Sequence, residues 1–144
     1  PSPVSALMSG VVIKTGIYGL LRLLSWLPPL PARCGVIVLV VGAVSAVLGI
    51  LYATSQRQMK RMLAYSSVEH MGISAIGIGI GMLGRGLSDP ALSSAVMALG
   101  FVGALRHTLN HALFKGLLFL SAYSLFFVAI GPFAMAWACR NALS

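Results

Sequence analysis

The chain has 144 residues, 58% of them hydrophobic and 8% charged, with ten basic residues, two acidic ones and a net charge of +8. A soluble domain carries about 25% charged residues, so this composition excludes a water-facing globule and indicates a bundle of membrane-spanning helices. The positive charge does not point to nucleic acid: the basic residues sit at the ends of apolar runs, where they set topology and meet headgroups, and no base-reading element accompanies them.

The chain opens "PSPVSALMSG", with no initiator Met, basic leader or cleavage site. Such a start is expected of the interior of a longer membrane protein. The first apolar stretch, from about Val4 to Leu24, predicts one spanning helix. Lys14 lies near its middle, ~15 Å from either end at the helical rise. An ammonium there cannot easily reach either surface and costs at least ~2.5–3.5 kcal/mol on insertion scales. It is read as a proton carrier or as half of a structural ion pair; mid-membrane ionisable groups favour the first. Arg22, near the helix end, reaches the interface by snorkelling.

"SWLPPLPAR" follows, with three prolines that cannot continue a helix. Trp26 suits a membrane interface. The second stretch runs from about Gly35 to Thr54. The connection "SQRQMKR" supplies Arg57, Lys60 and Arg61, which place this loop in the cytoplasm and the Pro-rich loop outside. The contrast is modest, because Arg22 and Arg33 flank the opposite loop.

The third stretch runs from about Met62 to Leu83 and carries polarity in its first half: Tyr65, Ser66, Ser67, Glu69 and His70. Glu69, one of two acids in the chain, is a carboxylate partner for a lysine or histidine on another helix, or a packing anchor. The stretch ends in "GIGMLG", Gly79 to Gly84, a formal G-x-G-x-x-G. A dinucleotide site needs a strand before it and a helix after it, so close helix packing is the better reading.

"GRGLSDP" leads into the last stretch, Ala91 to Ile130, with Pro90 opening the helix. It is too long for one ordinary span of ~20 residues and predicts either one long tilted helix or two pieces broken near Gly100 and Gly103. Inside it, "RHTLNHALFKGLLFL" spaces His107, His111 and Lys115 four residues apart. That spacing stacks them on one helix face, ~6 Å per step and ~12 Å in all. Arg106 precedes the stripe and Asn110 lies beside it. A ladder for protons hopping through water is the leading reading, with polar packing second. A metal site is third, because the third protein ligand and the Glu of H-E-x-x-H are missing.

Cys34 and Cys139 stand far apart and are read as small apolar residues, with no disulfide framework. There is no nucleophile–base pair, no cofactor motif and no cluster of metal ligands, so no cofactor is expected. The chain alone does not look like a chemical catalyst.

Three segments carry a family resemblance: "PVSALMSGVVIKTGIYGLLR", "QMKRMLAYSSVEHMGI" and "LNHALFKGLLFL". They resemble, in the same order, segments of the proton-translocating antiporter-like membrane subunits. These subunits occur in respiratory complex I, in multisubunit sodium/proton antiporters and in membrane-bound hydrogenases. "SALMSGVVIKTGIYG" with "NHALFKGLLFL" most resembles the large membrane subunit of formate hydrogenlyase and hydrogenase-4. The resemblance implies an all-α, polytopic bundle of about four to five helices, the central fragment of a domain of about fourteen helices that each span the bilayer.

By that resemblance the domain covers residues 1–124, and 125–144 form a divergent apolar tail of a frameshifted or truncated gene. Lys14 falls on the family's central lysine of the eighth helix. His107, His111 and Lys115 fall on the polar helix that continues the hydrophilic axis, with Glu69, His70 and Tyr65 as secondary candidates. The family's pumping lysine on the broken seventh helix and its carboxylate partner on the fifth would precede Pro1, and the broken twelfth helix is absent. The implied partners are the bilayer and other membrane subunits of a hydrogenase or complex I-like assembly, in a multi-pass position in the bacterial inner membrane. The implied role is a Lys/His relay for proton translocation coupled to redox chemistry in those partners. A subunit of a multisubunit sodium/proton antiporter or of NADH-quinone oxidoreductase is the alternative, and a structural anchor or truncated remnant is another.

Overall fold

A computed structural model describes residues 2–28 and 30–142, with the side chains at 2, 3, 5, 6, 60, 122, 123, 126, 127, 133–139, 141 and 142, Lys60 and Cys139 among them, outside the described residues. The described residues form a helical bundle: α1 (Ser2–Gly10), a 3-10 turn (Val12–Lys14), α2 (Thr15–Trp26), α3 (Ala32–Thr54), α4 (Met59–Gly84) and α5 (Pro90–Ala142). Three stretches among them are long and apolar enough to cross a membrane: Leu7–Trp26, Ala32–Thr54 and Pro90–Ser121. The protein is thus an all-helical, multi-pass membrane bundle.

The first apolar stretch differs from the single helix expected. It breaks at Val11, whose backbone departs from helical geometry (φ −120°, ψ −58°), and resumes after the 3-10 turn. Gly10 and the β-branched run Val11, Val12, Ile13 are poor helix formers, so the break falls where intrinsic propensity is weakest. Lys14 therefore ends a tight turn instead of standing in mid-helix.

The third stretch forms a helix of 26 residues, long enough to span, but its polar first half makes it less apolar than the other three. It lies inside instead, between α3 and α5. The α3–α4 seam is made of glycine. Gly35, Gly42 and Gly49 repeat every seven residues, two helical turns, and all three are buried. A Cβ on Gly42 would meet the Gly72 carbonyl oxygen at 2.8 Å and the Ile76 nitrogen at 2.9 Å. Such contact between backbones is how helices associate in lipid, where apolar side chains gain little by leaving the hydrocarbon. The glycines of "GIGMLG" divide between two seams: Gly79 meets Leu39 of α3, while Gly81 and Gly84 meet Phe101 and Met97 of α5.

The last stretch is one continuous helix of 53 residues that runs through Gly100 and Gly103 and on past Pro132. Gly100 does not break it, because the missing side chain is used to approach Gly77 and Gly81 of α4. Pro90 opens α5, Asp89 Oδ1 accepts the Ala91 amide at 3.0 Å, and Ser93 Oγ donates to the last-turn Gly84 carbonyl of α4 at 2.8 Å. α2 lies over α4 through Ile17 and Leu24, which join Ile78, Met82 and Ala104 in a small apolar core with Cys34 at its edge. At the end of α2 the Arg22 guanidinium stands 5.3 Å over the exposed Trp26 ring.

Candidate functional site

Two polar stripes run antiparallel on facing helices. On α5 they are His107, His111 and Lys115; on α4, Ser66, His70 and Ser74 repeat at the same four-residue interval. Equal spacing keeps the stripes in register across the seam. At one end the Lys115 ammonium donates to Ser66 Oγ. In the middle His70 sits between two histidines of α5. Its ring centroid is 4.1 Å from that of His111 and 5.2 Å from that of His107, and its Nδ1 lies 3.2 Å from His107 Nε2. One of those two nitrogens carries the proton they share. At the other end Ser74 Oγ and Thr108 Oγ1 are 3.0 Å apart.

Burial sharpens the pattern. In a chain whose large apolar side chains are mostly exposed, Lys115 is 0% exposed and His111 4%. Among the described residues His111 Nε2 is buried without a hydrogen-bond partner. All three histidines of the chain meet here. Among the described residues no group of three or more His, Cys, Asp or Glu is arranged to hold a metal ion. His70 and His107 instead turn nitrogens toward each other.

Lys14 joins from the α1 side. It is buried, 8% exposed, and its Nζ donates to the Ser9 carbonyl at 2.6 Å, back across the helix break. Ser9 Oγ in turn meets Ser67 Oγ of α4 at 2.7 Å. Gly10, beside them, lies against Ala112 of α5, which brings the break alongside the His111–Lys115 turn. α4 is the hub: Ser66 and His70 face α5, and Ser67 faces α1.

The sequence-level candidates thus separate. Lys14, His107, His111, Lys115 and His70 are brought together. Glu69 lies half-buried on the side of α4 toward α3, its backbone nitrogen 2.5 Å from where a Gly49 Cβ would stand. Tyr65 is set apart, stacked on Tyr52 of α3 with ring centroids 5.6 Å apart. Arg106 and Asn110 are exposed. Sequence reasoning missed Ser9, Ser74 and Thr108, and did not see that Ser66 and His70 continue to Ser74 as a second stripe. The four-residue spacing was the available signal, but hydroxyls in apolar helices ordinarily bond their own backbone, as Thr108 also does to Ala104.

Comparison with known proteins now bears on this arrangement. The family model described as NADH:quinone oxidoreductase/Mrp antiporter, TM matches residues 1–88. The chain is 50% identical over 125 residues to hydrogenase-4 component B of Escherichia coli, covering 85% of this chain and 18% of that protein. It is 44% identical over 126 residues to formate hydrogenlyase subunit 3 of Escherichia coli, covering 88% and 20%. It is 38% identical over 122 residues to NAD(P)H-quinone oxidoreductase chain 4 3 of a Picosynechococcus species, covering 84% and 20%. The chain spans about a fifth of the length of these curated relatives. No solved structure matches it.

Proposed function

The chain belongs to the NADH:quinone oxidoreductase/Mrp antiporter transmembrane family, and on that premise we propose that it supplies a lysine–histidine relay for proton translocation within a hydrogenase-4 or formate-hydrogenlyase type complex of the bacterial inner membrane. The observation that carries this reading is the convergence of Lys115, His111, His70 and His107 on one buried seam. Histidine and lysine take up and release protons, and imidazole does so through either ring nitrogen. His111, its ring tilted against that of His70 and one turn from Lys115, links the lysine end of the stripe to the His70–His107 pair. Lys14 is the switchable carrier, held at the helix break and bonded to a backbone carbonyl. Redox chemistry in partner subunits drives the movement; relatives named for hydrogenase-4 and formate hydrogenlyase support that choice of complex. The Arg57–Arg61 loop faces the cytoplasm.

Lys14→Ala, in the protein as its cells express it, is expected to abolish coupled proton movement in native membrane vesicles while the complex still assembles. An unchanged proton-to-electron ratio defeats the reading. A sodium/proton antiporter is the second reading, since the family description names an antiporter. The titratable groups brought together here, three imidazoles and two ammonium groups, are nitrogen bases that bind protons, which favours the proton reading. Loss of sodium tolerance in the Lys14→Ala strain, with hydrogen metabolism unaffected, selects the antiporter. A protein that never reaches the membrane selects a remnant.

A further inference from the structure

Ser67 has no part in the relay as drawn above, yet it is 3% exposed and doubly bonded. Its Oγ lies 3.2 Å from the Leu63 carbonyl and 2.7 Å from Ser9 Oγ. A hydroxyl has one proton and two lone pairs. Both bonds form together only if Ser67 donates to Leu63 and accepts from Ser9, which fixes the direction of the link.

Ser9 stands in the last turn of α1, two residues before the break. A helix of nine residues does not hold itself in place, so its end is located by what it touches. The Ser9–Ser67 pair fastens that end to α4. The same residue, through its carbonyl, receives the Lys14 ammonium. On the neighbouring face Ser66 Oγ accepts from Lys115 and donates to the same Leu63 carbonyl, at 3.1 Å. One carbonyl oxygen of α4 therefore anchors the hydroxyls that locate both lysines.

Beside the pair opens a cleft of about 590 Å³, in which Ser9 and Ser67 are set among Met8, Val12, Ile13 and Phe119. If the Ser67 hydroxyl is removed, Ser9 keeps only the option of bonding its own helix backbone and loses its bond to α4, on the side where the cleft opens beside the turn that carries Lys14.

We infer that Ser67 is a positioning residue for Lys14: it pins Ser9 to α4, and the Ser9 carbonyl holds the lysine ammonium across the helix break. The inference rests on the relay reading for its functional consequence, but the pinning itself has a separate readout.

The test is Ser67→Ala beside Ser67→Thr, which keeps the hydroxyl, in the assembled complex in native membranes. Ser67→Ala is expected to lower the proton-to-electron ratio roughly three-fold or more, since displacing a reacting group by about 1 Å can cost on the order of 100-fold in rate. Redox turnover and the amount of complex stay unchanged, and Ser67→Thr restores the ratio. A fall in turnover and ratio together, not restored by Thr, overturns the inference in favour of a general structural role. Hydrogen exchange in the peptide covering residues 9–14 is expected to quicken about five-fold in Ser67→Ala and to remain normal in Ser67→Thr, the size set by one net hydrogen bond. Unchanged exchange in Ser67→Ala overturns the pinning. If Ser67→Ala does not accumulate, Ser9→Ala removes the same pair from the other side and carries the same expectations. If Lys14→Ala leaves the ratio unchanged, the relay reading falls, whatever the exchange shows. If Lys14→Ala abolishes coupling while Ser67→Ala and Ser9→Ala are both silent, this inference alone falls.

Discussion

α4 has two seams, and they are built from opposite materials. Toward α3 it presents Gly72 and Gly79, which meet glycines or backbone at distances where no side chain fits. Toward α5 and α1 it presents Ser66, Ser67, His70 and Ser74, each bonded or stacked across the gap. The glycine seam is held by backbone lying against backbone, with Glu69 beside Gly49 as its one acidic side chain and none of the histidines. The polar seam holds all three histidines and accepts from Lys115. One helix thus has a side fixed by backbone contact and a side where the histidines and Lys115 gather. The fixed side supplies the reference against which small motions of the other are defined, because close-packed interiors transmit displacement instead of absorbing it.

Substitutions break or sharpen this contrast by different amounts. The largest effect is expected at the glycine seam: Gly42→Leu drives a side chain into the Gly72 carbonyl and the Ile76 nitrogen. Overpacking costs about 1–3 kcal/mol where neighbours can give, and backbone gives less than side chains. Loss of membrane-inserted protein on an immunoblot, with no residual complex, is the expected result; normal accumulation would show that the seam is looser than its geometry.

Next is His70→Ala, which removes the imidazole that touches both histidines of α5. Positioned proton-transfer groups contribute about 100-fold or more. Coupled proton movement in vesicles should fall by that order while the complex still accumulates in the membrane, read on an immunoblot. Ser74→Ala is smaller. It leaves Thr108 with its own backbone bond to Ala104, and about 1 kcal/mol of stability should be lost. The double change with Thr108→Val should cost less than the sum, a coupling that a double-mutant cycle on thermal unfolding measures. Smallest is Tyr65→Phe. The ring stays stacked on Tyr52, and both stability, within about 0.5 kcal/mol, and proton movement should match the parent. A clear loss of proton movement would return Tyr65 to the relay.

Much of this was readable from residue order. Composition alone required a membrane bundle, and the spacing of His107, His111 and Lys115 required one face of one helix. The glycines of "GIGMLG" were read as packing and do pack, though on two helices instead of one. Other features were hidden for physical reasons. The break at Val11 was not foreseen, because hydropathy is blind to backbone geometry and the run reads as continuously apolar. The seven-residue repeat of Gly35, Gly42 and Gly49 was overlooked, because glycines in an apolar helix are common and reveal their use only when a partner helix is present. Tyr65 was grouped with His70 by nearness in sequence, yet it lies on another face of the helix, toward Tyr52.

Residue types and their intervals therefore determined the class of molecule, the side chains able to carry protons and the fact that three of them share a face. Those are consequences of hydrophobicity and helical period, both local properties of the chain. Three relations needed the packed bundle: that His70 lies between the histidines of α5, that Ser66 receives Lys115, and that Lys14 reaches Ser9 across a break fastened to Ser67. Each joins helices far apart in sequence, and the rotation of one helix against another is set by the close approach of glycine backbones, which no single segment encodes.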